Sequence, residues 1–172
     1  ITEEDSLVIK SRHSAKIKIM KAINKDGSLN WSKLPKLVTT NTKLEKHSDD
    51  TKYLTAGFQL APHWISGYNT CAGFSDGCAK ACHVLIARIV RTLIWMEYRD
   101  QFIKQALKEI EAFKRKALRL QAKTAFRPNV ISDINFYFLF PQLWDMGLDA
   151  IYDYTKVIKH TKLNLVGTYS VT

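Results

Sequence analysis

The sequence predicts an α/β fold, a partial or incomplete (β/α) barrel of parallel strands with covering helices. Three observations predict it. Apolar strand-like runs alternate with helical patterns from residue 53 onward, and such alternation means parallel strands whose crossover helices cover the sheet. One stretch, 100–122, places Phe102, Ile103, Ala106, Leu107, Ile110, Phe113, Ala117 and Leu120 at spacings of three and four, the signature of an amphipathic helix. Polar residues and cysteines gather just after the strand-like runs, where α/β folds build their sites.

Taken in order, strands are expected at 53–60, 126–131, 150–155 and 163–170, as parallel neighbours in one sheet. Helices are expected at about 85–98 and 100–122, the second capped by Asp100 and ending in a Lys/Arg-rich turn that suits the helix dipole. A third helix is expected over 135–146, capped by Ser132-Asp133 and bent or divided at Pro141. Pro128 should end the strand near it, because proline donates no ladder hydrogen bond. Four strands make about half of an eight-stranded barrel, which takes about 250 residues. A small open α/β sheet is the other arrangement the pattern allows.

Residues 1–50 read as a polar, basic N-terminal extension to a three-cysteine α/β domain at 51–172. Residues 16–23 suit a short helix or strand, closed by the turn signal Asn24-Lys25-Asp26-Gly27. Trp31 is expected to anchor the loop that follows.

The chain has 172 residues, 46% of them hydrophobic and 24% charged, which supports one domain with a real core. No apolar run reaches the length of a membrane span, since Arg88 and Arg91 interrupt the nearest candidate. The opening Ile1-Thr2-Glu3-Glu4-Asp5 is acidic, unlike the basic and then apolar start of a secretory signal. With no initiating Met and an end in strand-like residues, the gene product is expected to be longer.

The formal net charge is +10, concentrated in 10–46 and 104–123. Lys114, Arg115, Lys116, Arg119 and Lys123 form a candidate nucleic-acid-binding face. The same residues also suit the solvated face and C-terminal end of an ordinary helix.

All three cysteines lie within twelve residues, as Cys71-x6-Cys78-x3-Cys82. An odd number cannot close a disulfide set. Three thiolates on one loop suit a [4Fe–4S] cluster with its fourth iron open. Zinc is the alternative, with His63 or His83 as a fourth ligand. The plainer reading is three small buried residues with no metal. Gly67, Gly73 and Gly77 permit the tight turns that such a loop needs.

Candidate cofactor-binding residues follow the later strands: Asn129, Ser132, Asp133, Asp153, Thr155 and Lys156. Strand alternation sets Asp153 and Thr155 opposite Tyr152 and Tyr154, and a carboxylate pointing into a cleft needs a partner. A structural hydrogen bond to a neighbouring strand would also satisfy it. Trp64, Trp95 and Trp144 suit a core or an interface. Tyr68 and Phe74, interleaved with the cysteines, suit stacking on a ligand or shielding of a cluster.

Several blocks together resemble a known family. They are Asn41-Thr42-Lys43-Leu44, Tyr53-Leu54-Thr55, Leu60-Ala61-Pro62, Ser66-Gly67-Tyr68-Asn69-Thr70-Cys71, Ser75-Asp76-Gly77-Cys78, Ala81-Cys82, Ser132-Asp133-Ile134 and 152–157. They resemble the bacteriophage proteins of the mycobacteriophage "gene product eighty-eight" group, over roughly 41–172. That group is similar in turn to the radical-SAM barrels, in which the cluster loop follows the first strand and the open iron binds S-adenosylmethionine. The usual radical-SAM spacing is C-x3-C-x2-C, tighter than the spacing here.

The resemblance implies a phage-encoded iron–sulfur protein in an infected bacterial host or a virion; the positive charge adds the expectation of a nucleotide or nucleic-acid substrate, and the short apolar runs that of no membrane partner. The contrasting expectation is a non-catalytic basic phage module, which binds nucleic acid, belongs to the virion or engages a host protein, with a structural metal or none.

Overall fold

The computed structural model describes residues 2–40, 52–71 and 85–155, together with the backbone of 168–169. The chain opens with helix α1 (Glu3–Lys21). A 3-10 turn (Trp31–Lys33) leads to β1 (Val38–Thr39), and β2 (Tyr53–Phe58) follows. Helices α2 (Ile86–Glu97) and α3 (Arg99–Arg119) then cross over to β3 (Lys123–Arg127). A short helix, α4 (Phe136–Leu139), and a 3-10 helix (Pro141–Asp145) precede β4 (Ala150–Ile151). Strands β5 (Tyr154–Thr155) and β6 (Thr168–Tyr169) complete the described elements.

The main sheet has the order β1-β2-β3-β4. Strands β2, β3 and β4 are parallel, and β1 joins antiparallel to β2. The register sets Thr55 beside Ala125 and Gly57 beside Arg127. This is a mixed α/β fold with an open, mostly parallel sheet. Strands β5 and β6 pair in parallel as a separate two-stranded sheet, so the expected neighbours are parallel but not all in one sheet, and of the strand expected at 163–170 all but 168–169 lies outside the described residues. Residues 150–155 do not form one continuous strand. Asp153 Oδ1 accepts the backbone N–H of Tyr154 at 3.0 Å, a local bond that competes with the sheet ladder.

Two other boundaries also move. The segment expected at 126–131 begins at Lys123 and stops at Arg127, immediately before Pro128. Helix α3 ends at Arg119, and Gln121, at φ +54°, reverses the chain, so the strand starts sooner than expected. Asp100 lies in the first turn of α3 and does not cap it, because the N-cap is Tyr98. Asn135, not Ser132-Asp133, caps α4 by accepting the N–H of Phe138 at 3.2 Å. Pro141 divides the 135–146 segment as expected.

The core is aromatic. Phe58, fully buried on β2, meets Phe102, Phe126, Phe136 and Phe140 with ring centroids 5.0–6.1 Å apart. Trp95 packs on Phe102 and Phe136 at 5.1 and 4.9 Å. Edge-to-face and tilted rings of this kind gain more than their buried area alone provides. Ala15, Ile19, Leu34 and Leu37 from the N-terminal segment join the same core.

Polar side chains then fix the loop that leaves β2. Arg12 of α1 donates from Nε to the Ile65 carbonyl at 2.6 Å and from Nη2 to that of Trp64. Arg91 of α2 donates to the Lys36 and Gln59 carbonyls at 2.7 and 3.2 Å. Thr92 Oγ1 accepts the Ala61 N–H at 2.8 Å. Buried backbone groups need such partners, and these ones aim the chain toward Cys71.

Candidate functional site

The C-terminal ends of β2 and β3 and the segment after β4 converge on one polar cluster. From the β2 side come Thr70 and Cys71. Thr70 Oγ1 donates to the Ala61 carbonyl at 2.6 Å, and Gly67, at φ +96°, closes the turn before it. Cys71 forms a parallel bridge with Asp133, whose N–H donates to the Thr70 carbonyl at 2.7 Å. The Cys71 sulfur accepts the His63 N–H at 3.2 Å and lies 3.8 Å from the Ile131 carbonyl. Burial pushes the Cys71 thiol above its ordinary value, the His63 N–H acts against that, and the nearby Asp133 carboxylate adds to it.

Asn129, buried just past β3, is the hub. Its Oδ1 accepts from Ser132 Oγ and from the Ile134 N–H, both at 2.8 Å. Its Nδ2 donates to the Ile134 carbonyl at 2.8 Å and to Asp153 Oδ2 at 2.6 Å. Every donor and acceptor of the carboxamide is therefore used. Burial pushes the Asp153 carboxyl up from 3.8 to about 7. The hydrogen bonds from Asn129 and Tyr154 and the charge of Arg127 resist that rise, and Asp133 adds to it. Asp153 can thus hold or release a proton near neutrality.

Arg127 is a member that sequence reasoning missed. It is buried at the last position of β3, where its Nε donates to the Asn129 carbonyl at 3.0 Å. Its guanidinium carbon stands 4.6 Å from the Tyr154 ring centroid. A charged residue directly before a strand-ending proline was the available signal. Gly57, opposite Arg127, is required by space: a Cβ there would meet the Arg127 carbonyl oxygen at 2.1 Å and Val130 Cγ2 at 2.5 Å.

Of the predicted site residues, Cys71, Asn129, Ser132, Asp133 and Asp153 come together. Cys78, Cys82, His83, Phe74 and Lys156 lie outside the described residues, as does the side chain of Thr155. Among the described residues, no group of three or more His, Cys, Asp or Glu side chains is placed to hold a metal ion, and no helix is long and apolar enough to cross a membrane. Trp95 is in the core, whereas Trp64 and Tyr68 are exposed beside the loop that leads to Cys71.

The predicted basic face divides. Lys114 pairs with Glu111 at 3.5 Å. Lys123 Nζ stands 6.0 Å from the Tyr53 ring centroid. Arg115 is exposed, while Lys116 and Arg119 line a cavity of about 510 Å³ with Lys36, Thr39 and Thr40.

No curated protein and no solved structure matches the chain. A family model, Gene product 88, matches residues 34–172. That span contains the whole sheet, both crossover helices and every residue of the polar cluster, and the chain belongs to this bacteriophage protein family, Gene product 88.

Proposed function

We propose that this is a phage-encoded iron–sulfur protein that acts on a nucleotide or nucleic-acid substrate at the C-terminal edge of its sheet. Cys71, Cys78 and Cys82 would hold a [4Fe–4S] cluster. A cluster held by three thiolates leaves one iron open, for S-adenosylmethionine or for substrate.

The observation that carries the reading is the bridge between Cys71 and Asp133 beside the Asn129–Asp153 hydrogen bond. It brings the first cysteine of the loop to the edge where an α/β fold takes its ligands. The donor chemistry fits a thiolate ligand. The Cys71 sulfur already accepts a backbone N–H, and hydrogen bonds to sulfur are among the groups that tune a cluster. In this role Asn129, whose carboxamide is saturated, would hold Asp153 and the Ser132–Ile134 loop in place beside a bound polar group. Asp153 would hold or pass a proton, and Arg127 would balance negative charge.

Anaerobic purification tests the proposal, with iron, sulfide and zinc measured per chain alongside the visible absorbance. Roughly four irons and four sulfides per chain are expected. Any one of Cys71→Ala, Cys78→Ala or Cys82→Ala should sharply reduce them. Stoichiometric zinc would replace the cluster with a structural metal. Metal-free chain with unchanged folding would favour the basic module, a reading supported by the exposed cations on α3.

A further inference from the structure

The segment between α1 and β1 lies along α3 and is pinned to it at two points. The Leu29 N–H donates to Gln101 Oε1 at 2.7 Å. Eight residues along the helix, Glu109 Oε1 accepts the Leu37 and Val38 N–H groups at 2.8 and 3.2 Å. Two cavities open along this seam, of about 460 and 510 Å³. The first lies between Trp31 and the helix residues Lys104 and Lys108. The second lies between Lys36 and the helix residues Lys116 and Arg119.

The α3 residues that line both cavities recur at three- and four-residue spacings, so they share one face of the helix. From Lys104 to Arg119 that face runs about 22 Å, at about 1.5 Å per residue. Four cations on that face (Lys104, Lys108, Lys116 and Arg119) and Lys36 on the facing segment are exposed, and among the described residues none of them is in an ion pair. The two carboxylates in the seam are already engaged. Glu109 holds β1, and Asp26 accepts from the N–H and the hydroxyl of Ser28 at 3.0 and 2.6 Å.

We propose that this seam is a binding groove for single-stranded nucleic acid. The cations would track the phosphates and Trp31, half-buried at one end, would stack on a base. A cationic groove with an aromatic platform is the usual construction for unpaired strands. The inference rests on the nucleic-acid half of the preceding reading and makes it specific. It differs from the face read from sequence by adding Lys36, Lys104 and Lys108 and by leaving out Lys114 and Lys123.

The test is fluorescence anisotropy of the whole chain with a labelled thymidine oligonucleotide at several salt concentrations. Each single-strand phosphate contact contributes about 0.7 to the slope of log K against log salt, so five contacts give a slope of about −3.5. That corresponds to roughly a 100-fold loss of affinity between about 50 and 200 mM salt. The triple variant Lys36→Ala/Lys104→Ala/Lys108→Ala should lower the slope by about 2. Lys114→Ala/Lys123→Ala should leave it unchanged, and Trp31 emission should quench on binding.

Binding that is absent at low salt, that prefers a duplex of the same length, or that is weakened equally by both variants would overturn the groove. Metal content, measured on the same preparations, separates the two ideas. Loss of the cluster reading leaves the anisotropy result standing, and a groove that fails leaves the metal content unchanged.

Discussion

The Asn129 carboxamide donates to Asp153 Oδ2 at 2.6 Å and, through its other atoms, closes the backbone from Ser132 to Ile134 into a fixed loop. One buried side chain thereby ties the end of β3 to the segment after β4 and to the bridge that holds Cys71. The cluster rests on the saturation of a single amide, which makes it sensitive to change.

Replacing Asn129 with Ala leaves Ser132 Oγ, the Ile134 N–H and Asp153 Oδ2 without the partner that Asn129 supplies, while the Ile134 carbonyl keeps the Phe136 N–H at 2.8 Å. Each unsatisfied buried group costs about 1–3 kcal/mol, so a loss of about 3–5 kcal/mol is expected in urea denaturation. Asn129→Asp keeps the size and the accepting oxygen but sets a second carboxylate against Asp153. It should be tolerated at pH 5 and poorly tolerated at pH 8, because like charges this close cannot both ionise cheaply. Equal stability of Asn129→Asp and parent at pH 8 would show that the contact is unimportant.

Gly57→Ala should be severe. The added Cβ meets backbone, the Arg127 carbonyl oxygen at 2.1 Å, and no side-chain rotation relieves that clash. Strands β2 and β3 must move apart at the rung that leads to Asn129. A loss of about 3 kcal/mol or more is expected, at or beyond the upper end of overpacking costs. Unchanged thermal melting would mean that the two strands do not approach this closely.

How much of this was legible in the sequence depends on the signal that each part left. Helix α3 was readable because its buried residues are all apolar, with Phe102, Ile110 and Phe113 among them, and recur with the helical period. Helix α1 was not, because its buried face is Ser11, Ala15 and Ile19 while Leu7, Ile9 and Met20 face solvent. Small residues inside and large ones outside erase the periodicity. What remained was the capping box, in which the Asp5 N–H donates to Thr2 Oγ1 at 3.1 Å and Asp5 in turn accepts the Thr2 N–H.

The convergence of Asn129, Ser132, Asp133 and Asp153 with Cys71 was legible through topology, since all follow strands of a parallel sheet. The role of Asn129 as hub was not, because nothing in a one-dimensional pattern says which polar side chain makes four hydrogen bonds. Arg127 was hidden for a similar reason. It stands across the rung from Gly57, a pairing set by register that the pattern of neither strand shows.

Phe58→Ala should remove the centre of the aromatic core. Four rings pack on Phe58 within 6.1 Å, and Phe→Ala in a core typically costs about 3–5 kcal/mol. Phe138, three-quarters exposed at 76%, is the matched control, and its change to Ala should alter stability by less than about 0.5 kcal/mol. Chemical denaturation of the pair decides the matter, and similar losses in both would mean that the core is elsewhere.

The last prediction concerns pH. Asp153 is raised from 3.8 to about 7, with burial the first cause. Between those values the folded chain binds a proton that the unfolded chain has released, so stability falls as pH rises. The contribution is fully present below about pH 4, declines through the interval and is lost above about pH 7. The upper bound is about 4 kcal/mol at about 1.4 kcal/mol per pH unit, and Asp153 is only half-buried, so the observed change should be smaller. Asp153→Asn removes the titration. Its carboxamide oxygen still accepts from Asn129, but it cannot take both the Asn129 and Tyr154 donors as the two carboxylate oxygens do. Asp153→Asn should therefore be less stable than the parent at pH 4, close to it or better at pH 8, and flatter in between. Melting temperatures of both chains from pH 4 to pH 8 test this. A parent whose stability rises across that range while Asp153→Asn rises in parallel would assign the titration to other carboxylates.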